Sequence, residues 1–243
     1  MTVTVKTVRD VALEQPTSIR VFEQYGIDYC CGGRKPLAEA CASSNLEVDA
    51  VLAALEVAAQ VPLRGEEDWA HASLESLIRH IVVTHHAYVR SELPRLAVLA
   101  EKVVHRHGDT QSELPLIQTM LAQLDEELSQ HLTKEETVLF PYVAKLEQAK
   151  DGITKPQGGF GNVANPIAMM TAEHDAAGAL LAEIRQLSHQ FVTPVGACPT
   201  YHAFYDGLKE FEQGLHQHIH LENNILFPGA IRLESGTPAE SQV

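Results

Sequence analysis

Apolar positions along the chain recur at helical spacing almost everywhere, and no segment sustains the period-two alternation of a half-buried strand. Thr17 and Ser18 stand where they would cap a helix through Ile19, Val21, Phe22 and Tyr25, which Gly26 ends. Pro36 opens a short helix from Leu37 to Ala42, and Glu47 to Ala59 carries Val48, Val51, Leu52, Leu55 and Ala58 on one side. Pro62 and the polar run Arg64–Asp68 then interrupt the pattern. Beyond Ser73 the spacing predicts four longer helices, over 73–105, 113–149, 165–190 and 200–233. The stretch 151–166, rich in Gly, Pro and Asn, predicts a loop between two helical hairpins. The expected fold class is therefore all-α: a four-helix bundle behind a small helical N-terminal domain. The expected divisions are 1–62 for the small domain, 63–72 for a linker, 73–235 for the bundle and 236–243 for a flexible tail. A piece of about 60 residues buries little surface alone, so it should lean on the bundle or on a partner subunit.

The two hairpins are copies of one another. HLTKEETVLFP from His131 and HIHLENNILFP from His218 both read His-x3-Glu-x3-Leu-Phe-Pro, at an offset of 87 residues. Leu121, Leu124 and Leu128 map onto Leu208, Phe211 and Leu215 at the same offset, so each histidine continues an apolar stripe. In the other helix of each hairpin, Val82, His86, Val89, Leu93 and Leu96 map onto Met170, His174, Ala177, Leu181 and Ile184 at an offset of 88. This register selects His86 over His85.

Residues i and i+4 of a helix share a face, so His131 with Glu135, and His218 with Glu222, reach one point together. His86 and His174 add one inward imidazole from each remaining helix, which aims four imidazoles and two carboxylates at the bundle axis. That donor set suits iron, manganese or zinc without any thiolate. Six ligands are too many for one catalytic zinc; two metal ions, each glutamate bridging both, fit better. A single His-x3-Glu is ordinarily a solvated or capping pair, and a lone histidine on an apolar face is ordinarily a hydrogen-bonded core residue. Two copies in matched register outweigh that reading, because buried unpaired charges cost several kcal/mol each. His71, His105, His107, His189 and His202 lie near predicted ends and are expected in solvent. His80, His85, His216 and His220 point off the ligand faces and are expected at the surface or as hydrogen-bonding neighbours. Glu173 is expected to face solvent or the opposite seam.

Charge narrows the partners. Lys+Arg number 18 against 32 Asp+Glu, a net charge of -14, so nucleic acid and anionic membranes are excluded as expected partners. No apolar run approaches the ~20 residues of a membrane span, and the first residues lack a signal-peptide pattern. A cytoplasmic protein is the expectation.

Four cysteines are present, and two of them, Cys30 and Cys31, are adjacent, which disfavours a simple disulfide framework. They precede Gly32-Gly33 and so sit on a tight turn. Arg34 and Lys35 nearby would favour thiolate, and an exposed pair of low pKa can attack a disulfide, bind a soft metal or react with nitric oxide. The other reading is a pair of small buried apolar residues. Cys41 and Cys198 take that second reading.

These residues resemble a known family. The bundle is similar to an up-down hemerythrin-like domain, and the run Tyr25-Gly26-Ile27-Asp28-Tyr29-Cys30-Cys31-Gly32-Gly33 resembles the short domain that precedes it in the Repair of Iron Centres family. The resemblance runs from about Thr7 to Arg232 and includes Glu173-His174-Asp175. It implies a non-haem di-iron centre, oxo- or hydroxo-bridged, held by His86, His131, Glu135, His174, His218 and Glu222. It also implies a stress protein that restores iron-sulfur clusters damaged by nitric oxide or oxidants, with Cys30 and Cys31 taking part in repair or redox chemistry. The expected partners are damaged iron-sulfur proteins, nitric oxide or oxygen, and a second copy of the chain in a homodimer. An enzyme that reduces nitric oxide, and a sensor of oxygen or nitric oxide, are the competing functions.

Overall fold

A computed structural model describes residues 5–60, 68–149, 156 and 158–236. Residues 63–67 of the expected linker, 151–155 and 157 of the expected loop and 237–243 of the expected tail lie outside those residues. The described part is all-α, with no strand among its residues and one isolated bridge between Thr7 and Pro36.

Among its described residues the N-terminal piece has four short helices: α1 (Val8–Glu14), α2 (Ser18–Tyr25), α3 (Leu37–Ser43) and α4 (Val48–Ala59). The spacing had not predicted α1. Seven residues are too few to show a period, but Thr7 and Asp10 form a capping box that starts it. The expected caps of α2 are not caps: Thr17 makes no side-chain bond to the helix, and the buried Ser18 hydroxyl donates instead to the Val11 carbonyl. Gly26 does end α2, in the left-handed region at φ 65, where a residue without Cβ is cheapest. Val8, Val11, Phe22, Leu37, Val51 and Leu55 close a small core of their own.

The bundle is built from four long helical runs. The first joins α5 (Leu74–His80), a π-helical turn (Ile81–His86) and α6 (Ala87–His107). The second joins α7 (Glu113–Lys134), a π turn (Glu135–Leu139) and α8 (Phe140–Gln148). The third is α9 (Ala164–Leu187), and the fourth joins α10 (Pro199–His220), a π turn (Leu221–Leu226) and α11 (Phe227–Ser235). Each Leu-Phe-Pro of the repeat thus closes a π turn. Proline has no N–H to donate and its ring crowds the carbonyl four residues back, and a wider turn relieves that crowding. α9 stops three residues before the expected 190, because His189, Gln190 and Phe191 all take positive φ.

Two apolar clusters fill the bundle. One gathers Leu93, Leu128, Leu132, Ala177, Leu215 and Ile219; the other gathers Leu77, Ile81, Leu139, Met170, Leu226 and Phe227. The repeated His and Glu positions fall where each helical run passes from one cluster to the other, so a polar layer crosses an otherwise apolar bundle. No helix among the described residues is long and apolar enough to cross a membrane.

Candidate metal centre

The polar layer holds His86, His131, Glu135, His174, His218 and Glu222, all buried. Their metal-facing atoms converge in two overlapping sets. His86, Glu135, His218 and Glu222 each offer an atom within 4.8 Å of the others, as do His131, Glu135, His174 and Glu222. Both glutamates belong to both sets. Nε2 of His86 lies 3.2 Å from Nε2 of His218, and Nε2 of His174 lies 3.0 Å from Nε2 of His131. The glutamate oxygens complete each set, at 2.9 Å from His218, 3.1 Å from His174, 3.4 Å from His131 and 3.5 Å from His86.

These residues fit metal ions on two grounds. Both oxygens of Glu135 and Oε2 of Glu222 are buried without a hydrogen-bond partner, which a folded chain rarely tolerates. Paired imidazole nitrogens at 3.0–3.2 Å repel unless a proton or cation lies between them. Without a metal, protons must take that role. Burial disfavours charge on His86, but Glu135 and Glu222 outweigh it and push the pKa up to about 10. Burial likewise opposes charge on His131, and Glu135 outweighs it, raising it to about 9. Burial also works against the Glu222 carboxylate, yet His218, His174 and His86 hold it well below the usual carboxylate range. A cavity that concentrates this much positive charge on histidine is suited to exchange those protons for cations.

A second layer orients the imidazoles from behind. Nδ1 of His86 bonds Glu136 at 2.7 Å, Nδ1 of His131 bonds Glu173 at 2.8 Å, and Nδ1 of His174 bonds the Asn223 side-chain oxygen at 3.0 Å. Such partners fix the ring and set its tautomer, leaving Nε2 free for a metal. Arg90 anchors Glu136, and Lys134 anchors Glu173. Glu173, half-buried, therefore takes the second of its two expected places, the seam with the neighbouring helix. Sequence reasoning missed all three partners, although Glu136 and Asn223 occupy equivalent places in the two repeats, each one residue past a ligand glutamate.

His220 also departs from expectation. It is buried at 3% exposure, bonds Asn224 through Nδ1 at 2.8 Å and packs against the Tyr29 ring edge. It serves the contact with the N-terminal piece rather than the surface. His107, expected in solvent, is half-buried with Nε2 3.3 Å from the Cys198 sulfur.

The cysteine turn rests on this bundle. Asp28 organises it: Oδ1 accepts from the backbone N–H of Cys30 and of Cys31, both at 3.0 Å, and Oδ2 accepts from Gly32 at 2.8 Å. A Cβ on Gly33 would lie 2.6 Å from the Tyr29 carbonyl oxygen, so only glycine fits there. Cys31 is half-buried, its sulfur 3.7 Å from that of Cys30 and 3.8 Å from the His174 carbonyl oxygen. A pocket of about 180 Å³ opens beside the pair and is lined by Cys30, Cys31, Arg34, Asp175, Asn223 and Phe227 among others. Through Asn223 it reaches the residue that holds His174. The expected low thiol pKa is not found at Cys30. Its hydrogen bond with Cys31, its burial and the Asp28 carboxylate all raise it well above the usual thiol value, although the exposed Arg34 lines the same pocket.

A bundle carrying such a layer defines a hemerythrin-type metal-binding protein. Residues 77–230 match the hemerythrin HHE cation binding domain, and residues 4–59 match the ScdA_N domain, a domain of unknown function. The iron-sulfur cluster repair protein YtfE of Yersinia pseudotuberculosis (serotype O:1b, strain IP 31758) is 40% identical over 225 residues, covering 92% of this chain and 96% of that protein. YtfE of Yersinia pestis (strain Pestoides F) shows the same identity over the same shares of both chains. The chain belongs to the Repair of Iron Centres family.

Proposed function

We propose that the chain holds two non-haem iron ions and restores iron-sulfur clusters damaged by nitrosative or oxidative stress. The observation that carries this reading is the pair of overlapping His2Glu2 sets sharing Glu135 and Glu222. In this reading His86 and His218 hold one ion, His131 and His174 the other, and both glutamates bridge. Bound iron would supply ligand exchange with oxygen or nitric oxide and a source of metal for a depleted cluster. The protein's own residues do the rest. Six side chains shape the site, the apolar clusters on either side keep bulk water out, and Glu136, Glu173 and Asn223 orient three of the imidazoles. The N-terminal piece, taken as 1–62, would present Cys30 and Cys31 to the damaged client, with Cys31 the more accessible sulfur. The bundle, taken as 73–235, would supply the metal. We further place the protein in the cytoplasm, as a homodimer; a stable monomer in sedimentation at low concentration would remove the dimer.

The test uses full-length protein from iron-fed cells. Iron content near two per chain is expected, with near-ultraviolet charge-transfer bands from an oxo- or hydroxo-bridged ferric pair. This protein should reactivate a [4Fe–4S] dehydratase that nitric oxide has inactivated. The Cys30→Ala, Cys31→Ala double variant should keep its iron and lose reactivation. Equal reactivation by metal-free protein would overturn the proposal. Sustained nitrous oxide formation, without reactivation, would reassign the chain to nitric oxide reduction.

A further inference from the structure

The repeat that builds the metal layer is symmetric in its inner ligands but not in what stands behind them. Glu136 of the first repeat corresponds to Asn223 of the second at the offset of 87, and each bonds Nδ1 of the histidine on the neighbouring helix. Glu173 of the second hairpin corresponds to His85 of the first at the offset of 88. Glu173 bonds Nδ1 of His131 at 2.8 Å. His85 makes no such bond to His218; its ring stacks on the His218 ring, centroids 5.6 Å apart and planes at 15°. Nδ1 of His218 is left buried with no hydrogen-bond partner. So the position between His131 and His174 has both imidazoles oriented from behind, one by a carboxylate and one by an amide. The position between His86 and His218 has one of its two oriented. His86 also leaves the end of a π turn, whereas His174 sits in regular α-helix.

We infer that the two metal positions are unequal, and that the position between His86 and His218 is the donor: it gives up its cation first, while the His131–His174 position retains its own. This rests on the two-metal reading above. The physical reason lies in the ring nitrogen behind the ligand atom. A partner there raises the basicity of the metal-facing nitrogen and spares the ring the entropy of being fixed by the metal alone. An imidazole buried without that partner pays for its desolvated N–H and returns less to the metal. The loss of one such partner weakens metal binding by about 10–100-fold, and His85 stands where Glu173 supplies it in the other hairpin.

Protein loaded with ferrous iron, its content counted at the start, is mixed anaerobically with excess ferrous chelator and the release is followed by colour. Two phases of one equivalent each are expected, at rates about tenfold or more apart. His85→Glu places a carboxylate where Glu173 stands in the other hairpin and is expected to slow the fast phase alone. Glu173→Ala, at a half-exposed position that a small side chain tolerates, is expected to quicken the slow phase alone. Release of both equivalents in one phase would overturn the inference. So would a Glu173→Ala protein in which only the fast phase changes. A starting content of one iron per chain would overturn the two-metal reading itself, and the count at time zero separates that failure from the others.

Discussion

The side-chain amide of Asn224 donates to the backbone carbonyl of Tyr29 at 3.1 Å, tying the N-terminal piece to the turn that carries Glu222. Arg9 adds a bond to the Asn224 carbonyl oxygen at 3.2 Å, and Tyr29 buries its ring against His220. The small piece therefore does lean on the bundle, two residues beyond a metal-facing glutamate. Asn224 is buried, so its loss leaves the Tyr29 carbonyl without that donor, at a cost of about 1–3 kcal/mol. Asn224→Ala is expected to lower the unfolding midpoint and to speed proteolysis within the N-terminal helices first. Uniform cleavage along the chain, at the wild-type rate, would count against this coupling.

Because Glu135 and Glu222 each face both histidine pairs, either one serves two metal positions. Glu135→Ala and Glu222→Ala are each expected to cost most of the bound iron. His131→Ala should remove chiefly one equivalent. Metal analysis after gel filtration distinguishes the two patterns. Loss of a single equivalent from each glutamate variant would mean that the carboxylates do not bridge.

Much of this arrangement is legible in the sequence, for a definite physical reason. The four long helices each bury a stripe at a spacing of three and four residues, and the stripes through Leu121, Leu124 and Leu128 and through Leu208, Phe211 and Leu215 are indeed buried. Duplication then marks the six inward polar residues, since a chance histidine on an apolar face would not recur in register. The outer partners lie beyond the stripes, on partly exposed flanks where a glutamate looks like any solvated charge. Glu173 and Glu136 become visible only when two neighbouring helices are brought together. The π turns are also hidden, since one extra residue in a turn shifts a stripe by less than its own width. The thiol environment was misjudged because the charges of Arg34 and Lys35 were weighed, while burial and the Asp28 carboxylate, which accepts from the Cys30 backbone and thiol, decide it.

That environment has a pH consequence. Cys30 is raised by its bond with Cys31, by burial and by Asp28, so it stays protonated at neutral pH. Alkylation by iodoacetamide at pH 7.5, about a unit below the ordinary thiol pKa, is expected at Cys31 well before Cys30, as read by peptide mass. The unfolded thiol ionises at ~8.5, whereas the folded one holds its proton higher. The contribution of Cys30 is thus present below that pH and is lost as pH rises above it. Cys30→Ser should flatten the alkaline fall in the unfolding midpoint. Faster labelling of Cys30 than of Cys31 would contradict the structure.

The metal layer imposes a second pH dependence, with its own sign. In the metal-free protein His86 holds a proton up to about pH 10 and His131 up to about 9, both through their buried carboxylate neighbours. Their stabilising effect on the metal-free fold is complete below the unfolded imidazole value of ~6.5 and disappears as pH climbs through the folded values. Metal-free protein should therefore lose thermal stability between about pH 7 and pH 10. Metal-loaded protein should lose less, since cations replace those protons. The same displacement makes metal uptake release protons, so apparent affinity should climb with pH across the neutral range. Calorimetric titration of ferrous iron at pH 7, in two buffers of different ionisation enthalpy, gives the number of protons released. A value near zero would mean that the imidazoles are already neutral and that the carboxylates do not hold protons on them.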